Sequence, residues 1–183
     1  MKTKIIKGSG RKDLAKKFKD LGLNTGVEVG VRWGEYSQIL CEQNPKLSLR
    51  AVDPYNVVYA DFRSKREGDK RQKKYLEHAL ERLKPFNCEV VVKTSLDAVR
   101  DVPYESIDFV YIDGSHEFDY VMCDIIEWGK RVKKGGIISG HDYYNFRRAG
   151  VVRAVDAYAE DHKVQKIYLT DERTSSWWFT RKW

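Results

Sequence analysis

Short apolar runs rich in β-branched residues alternate along the chain with segments whose apolar residues recur every three or four positions. The first pattern predicts strands and the second predicts amphipathic helices. Their alternation is typical of an α/β fold in which crossover helices join parallel strands. The predicted strands are TGVEVGV, LSLRAVD, CEVVVK, SIDFVYID, GIISGHD, VQKIYLT and SSWWFTR. The helical pattern is found over Leu14–Leu21, from about Gly34, over Tyr75–Leu83, from Phe118 to the basic end KRVKKGG, and over AGVVRAVDAYAE.

The order of these segments predicts the architecture. The segment SIDFVYID is apolar enough to be a central parallel strand that is buried on both faces. Only DERTS separates the last two strands, which is too short for a parallel crossover, so the last strand should run antiparallel. We therefore predict a Rossmann-like, seven-stranded, mostly parallel sheet with an antiparallel last strand and helices on both faces. Because 183 residues fit one domain of ordinary size, we read residues 1–183 as a single domain.

The composition, with 42% hydrophobic and 33% charged residues, is that of a soluble globular protein. No apolar run approaches the roughly 20 residues of a membrane span, and the start MKTKIIKGSGRKDL lacks the apolar centre of a secretory signal. We therefore expect a cytoplasmic protein with no membrane contact. Cys41, Cys88 and Cys123 lie far apart and form no CxxC pair, which predicts buried thiols and neither a disulfide framework nor a zinc site.

The net charge of +7 raises the question of an anionic partner such as nucleic acid. The excess lies in residues 63–74, where seven basic residues accompany two acidic ones. A solvated helix face beside a loop is the simpler interpretation of such a cluster, so a nucleic-acid partner is not favoured. The C-terminal end, with Trp177, Trp178 and Trp183, is read as a core strand and its exit; an exposed tryptophan there would instead indicate a homo-oligomer contact.

The first predicted strand leads into VEVGVRWGEYS, which has the features of a ligand-binding turn. Gly30 and Gly34 would let the backbone turn tightly and approach a ligand at the start of the next helix. Glu28 could accept hydrogen bonds from a bound amino group. Arg32 and Trp33 are too bulky for the pyrophosphate approach of a GxGxxG motif, which makes an NAD dehydrogenase the least favoured enzyme. Two glycines are also common in plain turns.

Acidic residues follow the ends of three predicted strands. Asp53 comes 23 residues after Gly30, where a carboxylate can hold the ribose hydroxyls of an adenosine, although it can equally cap a turn. Asp113 and Asp142 end the fourth and fifth strands, and one crossover helix between them should bring both carboxylates to the same edge of the sheet. With His141, they form a candidate site for a divalent cation, or a structural hydrogen-bond cluster.

The motifs VEVGVRWGEYS, VDPY, YIDGSHEFDYV and GGIISGHDYY, in this order and spacing, resemble those of the class I S-adenosylmethionine (SAM)-dependent methyltransferases. Within that class the chain is similar to the small metal-dependent O-methyltransferases of the catechol type and to those that tailor macrolide sugars and cephalosporins. The resemblance runs from about Thr25 to SSWWFTRKW. It implies SAM as the cofactor, with Glu28, Gly30 and Gly34 lining its methionine end.

The resemblance also implies roles for the strand-end residues. Asp53 would bind the ribose, and Ser95 lies where the family often contacts the adenine. Asp113 and Asp142 match residues that bind a divalent metal, either magnesium or manganese. Asp113 would in addition contact the cofactor. His116 falls where relatives place the base that takes the proton from the substrate hydroxyl, a step that suits an imidazole near neutral pH.

Two departures from the family pattern affect this reading. Where relatives have a second acidic ligand beside Asp142, this chain has His141, and a nitrogen ligand would shift the preference from magnesium toward manganese, iron or zinc. The long N-terminal helical cap of many relatives is also missing, so residues 59–74 or a partner subunit would have to enclose the substrate.

The sequence therefore predicts a SAM-dependent methyltransferase that acts on a hydroxyl of a small molecule, such as a sugar, polyol or phenol, with a divalent metal. One alternative is a metal-independent RNA methyltransferase, which the net charge of +7 motivates. The sequence IDGSH at residues 112–116 argues against it, because methylation of base amino groups uses an Asn/Asp-Pro-Pro-aromatic signature. The other alternative is a noncatalytic adenosine-binding module.

Overall fold

The structure, a computed structural model, describes residues 2–56, 65–144 and 149–183. The strands in these ranges are β1 (Lys2–Ile6), β2 (Thr25–Val29), β3 (Ser48–Val52), β4 (Cys88–Val91), β5 (Ile107–Ile112), β6 (Val132–Gly140), β7 (Lys166–Thr170) and β8 (Trp177–Thr180). The α-helices are α1 (Arg11–Asp20), α2 (Glu35–Gln43), α3 (Lys65–Leu83), α4 (Ser95–Ala98), α5 (Phe118–Arg131) and α6 (Val151–Asp161). A turn of 3-10 helix, Val99–Asp101, follows α4.

All eight strands form one sheet in the order β1-β7-β8-β6-β5-β2-β3-β4. Every pairing is parallel except those of β8, which runs antiparallel to both β6 and β7. The Rossmann-like, mostly parallel sheet and its antiparallel last strand are therefore confirmed. The predicted central strand is β5, in which Phe109, Val110 and Tyr111 are fully buried.

Helices cover both faces of this sheet. On one face α1 and α2 contribute Phe18 and Leu40, which pack in one cluster with Phe109 of β5. On the other face α5 and α6 bury residues such as Trp128 against the opposite side of the same strands, including Val110. Alternate residues of β5 thus serve two separate cores, because successive side chains of a strand point to opposite faces.

The sheet has one strand more than the sequence predicts. The additional strand, β1, pairs in parallel with β7, with Lys2 opposite Lys166. Its sequence, KTKII, forms an exposed edge, where four of its five residues are solvent exposed. An edge strand of this kind has no buried apolar run, so hydrophobic patterning does not reveal it.

A second difference concerns the segment KRVKKGG, which was predicted as the basic end of a helix. Helix α5 ends at Arg131, and Val132 already belongs to β6, where it pairs with Ile107 of β5. Pairing with the central strand thus outweighs the helical pattern here, and only Lys130 and Arg131 remain as the basic last turn of α5.

The aromatic end and the cysteines also have clear positions. Trp177 and Trp178 are buried in β8, as expected for a core strand. Cys41 is buried, but Cys88 is partly buried and Cys123 is exposed, so the prediction of three buried thiols is wrong for Cys123. All three are free thiols.

None of the helices described in residues 2–56, 65–144 and 149–183 is both long and apolar enough to cross a lipid bilayer. Most of the basic segment 63–74 lies on α3, which begins at Lys65. The start of that segment, and residues 59–64 of the predicted substrate cover, lie outside the described residues.

Candidate active site

A cavity of about 720 Å³ lies along the carboxyl edge of the sheet. Five neighbouring strands, β6, β5, β2, β3 and β4, end at this edge in that order. A residue beyond the end of each of these strands lines the cavity. In the same order as the strands, these residues are Asp142, Asp113, Gly30, Asp53 and Ser95. Open parallel sheets bind ligands at this edge, and the volume is within the usual range for a small-molecule site.

Asp113, His141 and Asp142 meet at the β5–β6 end of the cavity. Each offers one potential ligand atom, and these atoms all lie within 4.8 Å of one another. Nδ1 of His141 lies 3.6 Å from Oδ1 of Asp113 and 3.3 Å from Oδ1 of Asp142. Burial alone would lower the pKa of His141, but the two carboxylates outweigh burial and raise this pKa to about 9. The convergence follows from the parallel register of β5 and β6, in which Ile112 pairs with Gly140.

His116 lies beside this group, in the loop after β5. Nε2 of His116 is 2.9 Å from Oδ2 of Asp142, and this hydrogen bond raises the pKa of His116 above its usual value. Burial would raise the pKa of Asp142, but its two histidine neighbours outweigh burial and hold this pKa well below the usual range. About half of the His116 side chain is exposed, and it lines the cavity. The four predicted residues of this end are thus brought together.

Arg11 enters the same end of the cavity from the start of α1, and the sequence did not single it out. Nη2 of Arg11 lies 2.7 Å from Oδ2 of Asp113. The guanidinium carbon sits 4.3 Å from the ring centre of Tyr36 and 5.4 Å from that of Tyr111, which are cation–π distances. Arg11 therefore places a fixed positive charge in the cavity.

Glu28 and Gly30 form the floor of the cavity where β2 ends. Glu28 is buried, and its carboxyl group accepts a hydrogen bond from the hydroxyl of Ser37. Burial raises the pKa of Glu28 to about 8. Gly30 has a φ of +88°, and a Cβ there would lie 2.2 Å from the carbonyl oxygen of Asp113. Only glycine allows this close approach of the β2 turn to the end of β5.

Gly34 and Asp53 order the loop between β2 and α2. Gly34 caps α2 in the left-handed conformation, and its Cα faces Ala79 of α3; it is not one of the cavity-lining residues. Oδ2 of Asp53 accepts hydrogen bonds from the backbone N–H groups of Val31 and Arg32, at 2.9 and 3.0 Å. Asp53 therefore caps the turn, as one interpretation predicted, and it also lines the cavity.

Ser95 lies at the β4 end of the cavity, in contact with two side chains of α5. Its hydroxyl donates to Oδ1 of Asp124 and accepts from Nε1 of Trp128 at 2.8 Å. Asp124 is buried, which raises its pKa to about 6 although the Ser95 hydroxyl donates to it. Ser95 thus anchors α4 to α5, and a buried acid that the sequence analysis missed lies beneath it.

Comparison with known proteins identifies the family. A family described as a methyltransferase domain matches residues 27–143, which run from β2 to just beyond β6. The chain belongs to this methyltransferase family. The match includes Glu28, Asp53, Asp113 and Asp142, and it confirms the resemblance found in the sequence motifs.

The fold of the methyltransferase domain is similar to those of solved O-methyltransferases. The O-methyltransferase from Bacillus cereus, in complex with S-adenosylhomocysteine (SAH), has a TM-score of 0.66 and 14% identity, over 94% of this chain and 80% of that chain. TomG from Streptomyces achromogenes, an O-methyltransferase involved in tomaymycin synthesis and solved with SAM, has a TM-score of 0.65 and 13% identity, over 93% and 79%. At such identities the likeness shows a shared fold.

One curated relative of the methyltransferase domain comes from Acanthamoeba polyphaga mimivirus. This uncharacterized protein, R132, is 26% identical over 125 residues, which are 67% of this chain and 53% of that protein. The chain therefore spans about half the length of this curated relative.

Two residues of the candidate site, Arg11 and Asp124, were not predicted from the sequence. Arg11 lies 102 residues from Asp113, and Ser95 lies 29 residues from Asp124. Neither pair forms part of a local motif: the first depends on how α1 packs over the sheet, and the second on how α4 packs on α5. The one local signal in the sequence is the position of Asp124 on the buried face of the amphipathic helix α5. Charged residues are seldom buried without a partner, so an acid at such a position indicates a specific contact.

Proposed function

We propose that the chain transfers a methyl group from SAM to a hydroxyl of a small molecule, with help from a divalent metal. The observation that carries this proposal is one cavity lined at one end by Asp113, His141 and Asp142 and at the other by Asp53 and Ser95. Acceptor and donor subsites at one sheet edge are what a transfer reaction requires, because the two reactants must be held in contact.

The cavity residues fit SAM. Gly30 removes a side chain from the floor, Glu28 lies beside it, and Asp113 offers a carboxylate to the methionine end. Oδ1 of Asp53 accepts only the backbone N–H of Tyr55 among the described residues. Since a carboxylate oxygen can accept two hydrogen bonds, Asp53 retains capacity for a ribose hydroxyl. Ser95 would lie near the adenine.

The residues Asp113, His141 and Asp142 also fit a divalent cation. Two carboxylates and one imidazole form a mixed oxygen and nitrogen donor set, which suits manganese, iron or zinc, and magnesium less well. A bound cation would lower the pKa of a coordinated substrate hydroxyl. Arg11 already contacts Oδ2 of Asp113, while Oδ1 faces His141.

His116 is the residue we assign to remove the hydroxyl proton. Its Nε2–H donates to Asp142, which fixes the ring and leaves the lone pair of Nδ1 as the proton acceptor in the neutral tautomer. Because Asp142 raises the pKa of His116, the imidazole holds the accepted proton more strongly than a free histidine would.

A second candidate function is the noncatalytic adenosine-binding module. One observation favours it: both aspartates already have partners within the chain, Asp113 with Arg11 and Asp142 with His116. In this case the cluster would serve as a hydrogen-bonded cap on two strand ends.

The RNA methyltransferase has no comparable support among the residues that line the cavity. Binding of RNA that weakens steeply with added salt would support it, because binding driven by phosphate contacts has this dependence. A cytoplasmic location stays a prediction.

Calorimetry separates the first two functions. The methyltransferase should bind SAH with or without metal, and a manganese-dependent binding of small diols should appear once SAH is bound. The binding module predicts SAH binding alone. Transfer of an isotope-labelled methyl group from SAM to a bound diol would then establish the reaction directly.

A further inference from the structure

We propose that Arg11 and Asp113 together hold the amino-acid end of SAM, with Arg11 binding the carboxylate and Asp113 the ammonium group. The inference rests on the proposed function and extends it, since it assigns a cofactor-binding role to a residue outside every sequence motif. It also predicts which SAM-like molecules the site rejects.

Arg11 is held in place by its aromatic surroundings. Its guanidinium carbon lies 4.3 Å from the ring centre of Tyr36. The hydroxyl of the same tyrosine donates a hydrogen bond of 3.3 Å to the backbone carbonyl of Arg11. Both ends of the residue are thus fixed by one buried side chain, and Tyr111 lies on the same side at 5.4 Å. A planar cation positioned in this way loses little freedom when an anion binds.

The guanidinium has unused hydrogen-bonding capacity. Its five N–H donors serve Asp113 alone among the described residues, through Nη2. Nε of Arg11 is buried and has no hydrogen-bond partner. A buried donor without an acceptor is costly, and a carboxylate that binds an arginine in the bidentate mode supplies two acceptors at once.

The charges of the Arg11–Asp113 pair are complementary to those of a zwitterion. Its opposite charges lie 2.7 Å apart inside the cavity. The ammonium and carboxylate groups of an amino acid are bonded to the same carbon, so they can reach two adjacent protein charges together. Gly30, whose Cα faces the backbone of Asp113, keeps this part of the floor free of side chains. The methionine end of SAM therefore matches this corner in charge and in spacing.

The test is calorimetric titration in metal-free buffer with SAM and with decarboxylated SAM, which keeps the sulfonium and the amine. We expect the protein to bind SAM at least about tenfold more tightly than decarboxylated SAM. Arg11→Gln should lose about the same factor for SAM and leave decarboxylated SAM unchanged, so that the two ligands become nearly equal. Asp113→Asn should weaken the binding of both, because both carry the amine.

Two further variants serve as controls. Lys12→Gln removes an exposed charge next to Arg11 and should leave both affinities unchanged. Arg11→Lys keeps the charge and should keep part of the preference for SAM; thermal unfolding of each variant confirms that it is folded. Equal binding of the two ligands by the unmodified protein, or an Arg11→Gln variant that keeps the full preference, would overturn the inference. If the unmodified protein binds neither ligand, the proposed function is itself wrong, and this inference with it.

Discussion

Nε2 of His116 lies 2.9 Å from Oδ2 of Asp142, so the loop after β5 is held by a residue just beyond the end of β6. Asp142 occupies this position with a φ of 56°, in the left-handed region where aspartate and asparagine are more common than other side chains. Unusual backbone conformations of this kind concentrate at functional sites. The contact links the proposed base to the proposed metal site.

The first prediction concerns this base. His116→Ala should lower kcat by roughly a hundredfold or more, because a positioned general base contributes about 10²–10⁴-fold. The affinity for SAM, measured by calorimetry, should remain nearly unchanged. His78→Ala is the matched control, since His78 is exposed on α3 and does not line the cavity. Full activity of the His116→Ala variant would refute the assignment.

The second prediction concerns the metal. Asp142→Asn keeps an acceptor and a residue that tolerates the left-handed φ, but it removes one anionic ligand. Manganese affinity, followed by the paramagnetic resonance signal of the free ion, should fall at least about tenfold. Asp119→Asn, at an exposed position on α5, should leave manganese affinity unaltered. A protein that binds no manganese at all, or whose affinity is the same in both variants, would contradict the metal site.

The third prediction concerns the buried Asp124. Burial raises its pKa to about 6 in the folded protein, from an ordinary value of 3.8. The folded state therefore binds more protons than the unfolded state between these values, so this group's contribution to stability falls as pH rises from about 4 to 6. Asp124→Asn removes this effect, and the variant should be more stable than the parent protein by at most about 3 kcal/mol above pH 7.

Urea unfolding of both proteins at several pH values measures this difference. Because all other groups are shared, the difference in unfolding free energy isolates Asp124. It should be larger by up to about 3 kcal/mol at pH 7 than at pH 4. A difference that does not change with pH would show that Asp124 titrates normally.

The fourth prediction separates the two effects of a glycine in the cavity floor. Gly30 and Gly135 have nearly the same φ, +88° and +87°, but only Gly30 has backbone atoms within 4 Å of an added Cβ. Gly135→Ala should therefore lower the free energy of unfolding by about 1–2 kcal/mol, the usual cost of the left-handed conformation. Gly30→Ala should cost more than about 3 kcal/mol, because the backbone around Asp113 must move. Equal losses in urea unfolding would contradict the close approach.

Sequence patterns predicted the parts of this molecule that depend on residues close together in the chain and on the order of its strands and helices. The buried strand β5 has a continuous apolar run, and the crossover between β5 and β6 was enough to predict that Asp113 and Asp142 meet. The edge strand β1 was missed because its residues are exposed, and the sequence beyond Arg131 was read as helix because its pairing partner, β5, is not adjacent in sequence.

The candidate site shows the same division. Glu28 lies near the end of β2, and Gly30 and Asp53 directly follow β2 and β3, so all three are visible in the sequence as strand-end residues. Arg11 belongs to a helix that precedes the first motif, and its contact with Asp113 depends on how that helix packs on the sheet. Contacts of this kind leave no periodic signal, so they required the structure.

The measurement that tests the central claim most directly is calorimetric titration of the protein with SAH. A SAM-dependent methyltransferase should bind one SAH per chain, and Asp53→Ala, which removes the proposed ribose contact, should weaken this binding at least about tenfold. Absence of SAH binding, or binding that Asp53→Ala leaves unchanged, would contradict the assignment of this cavity to the cofactor.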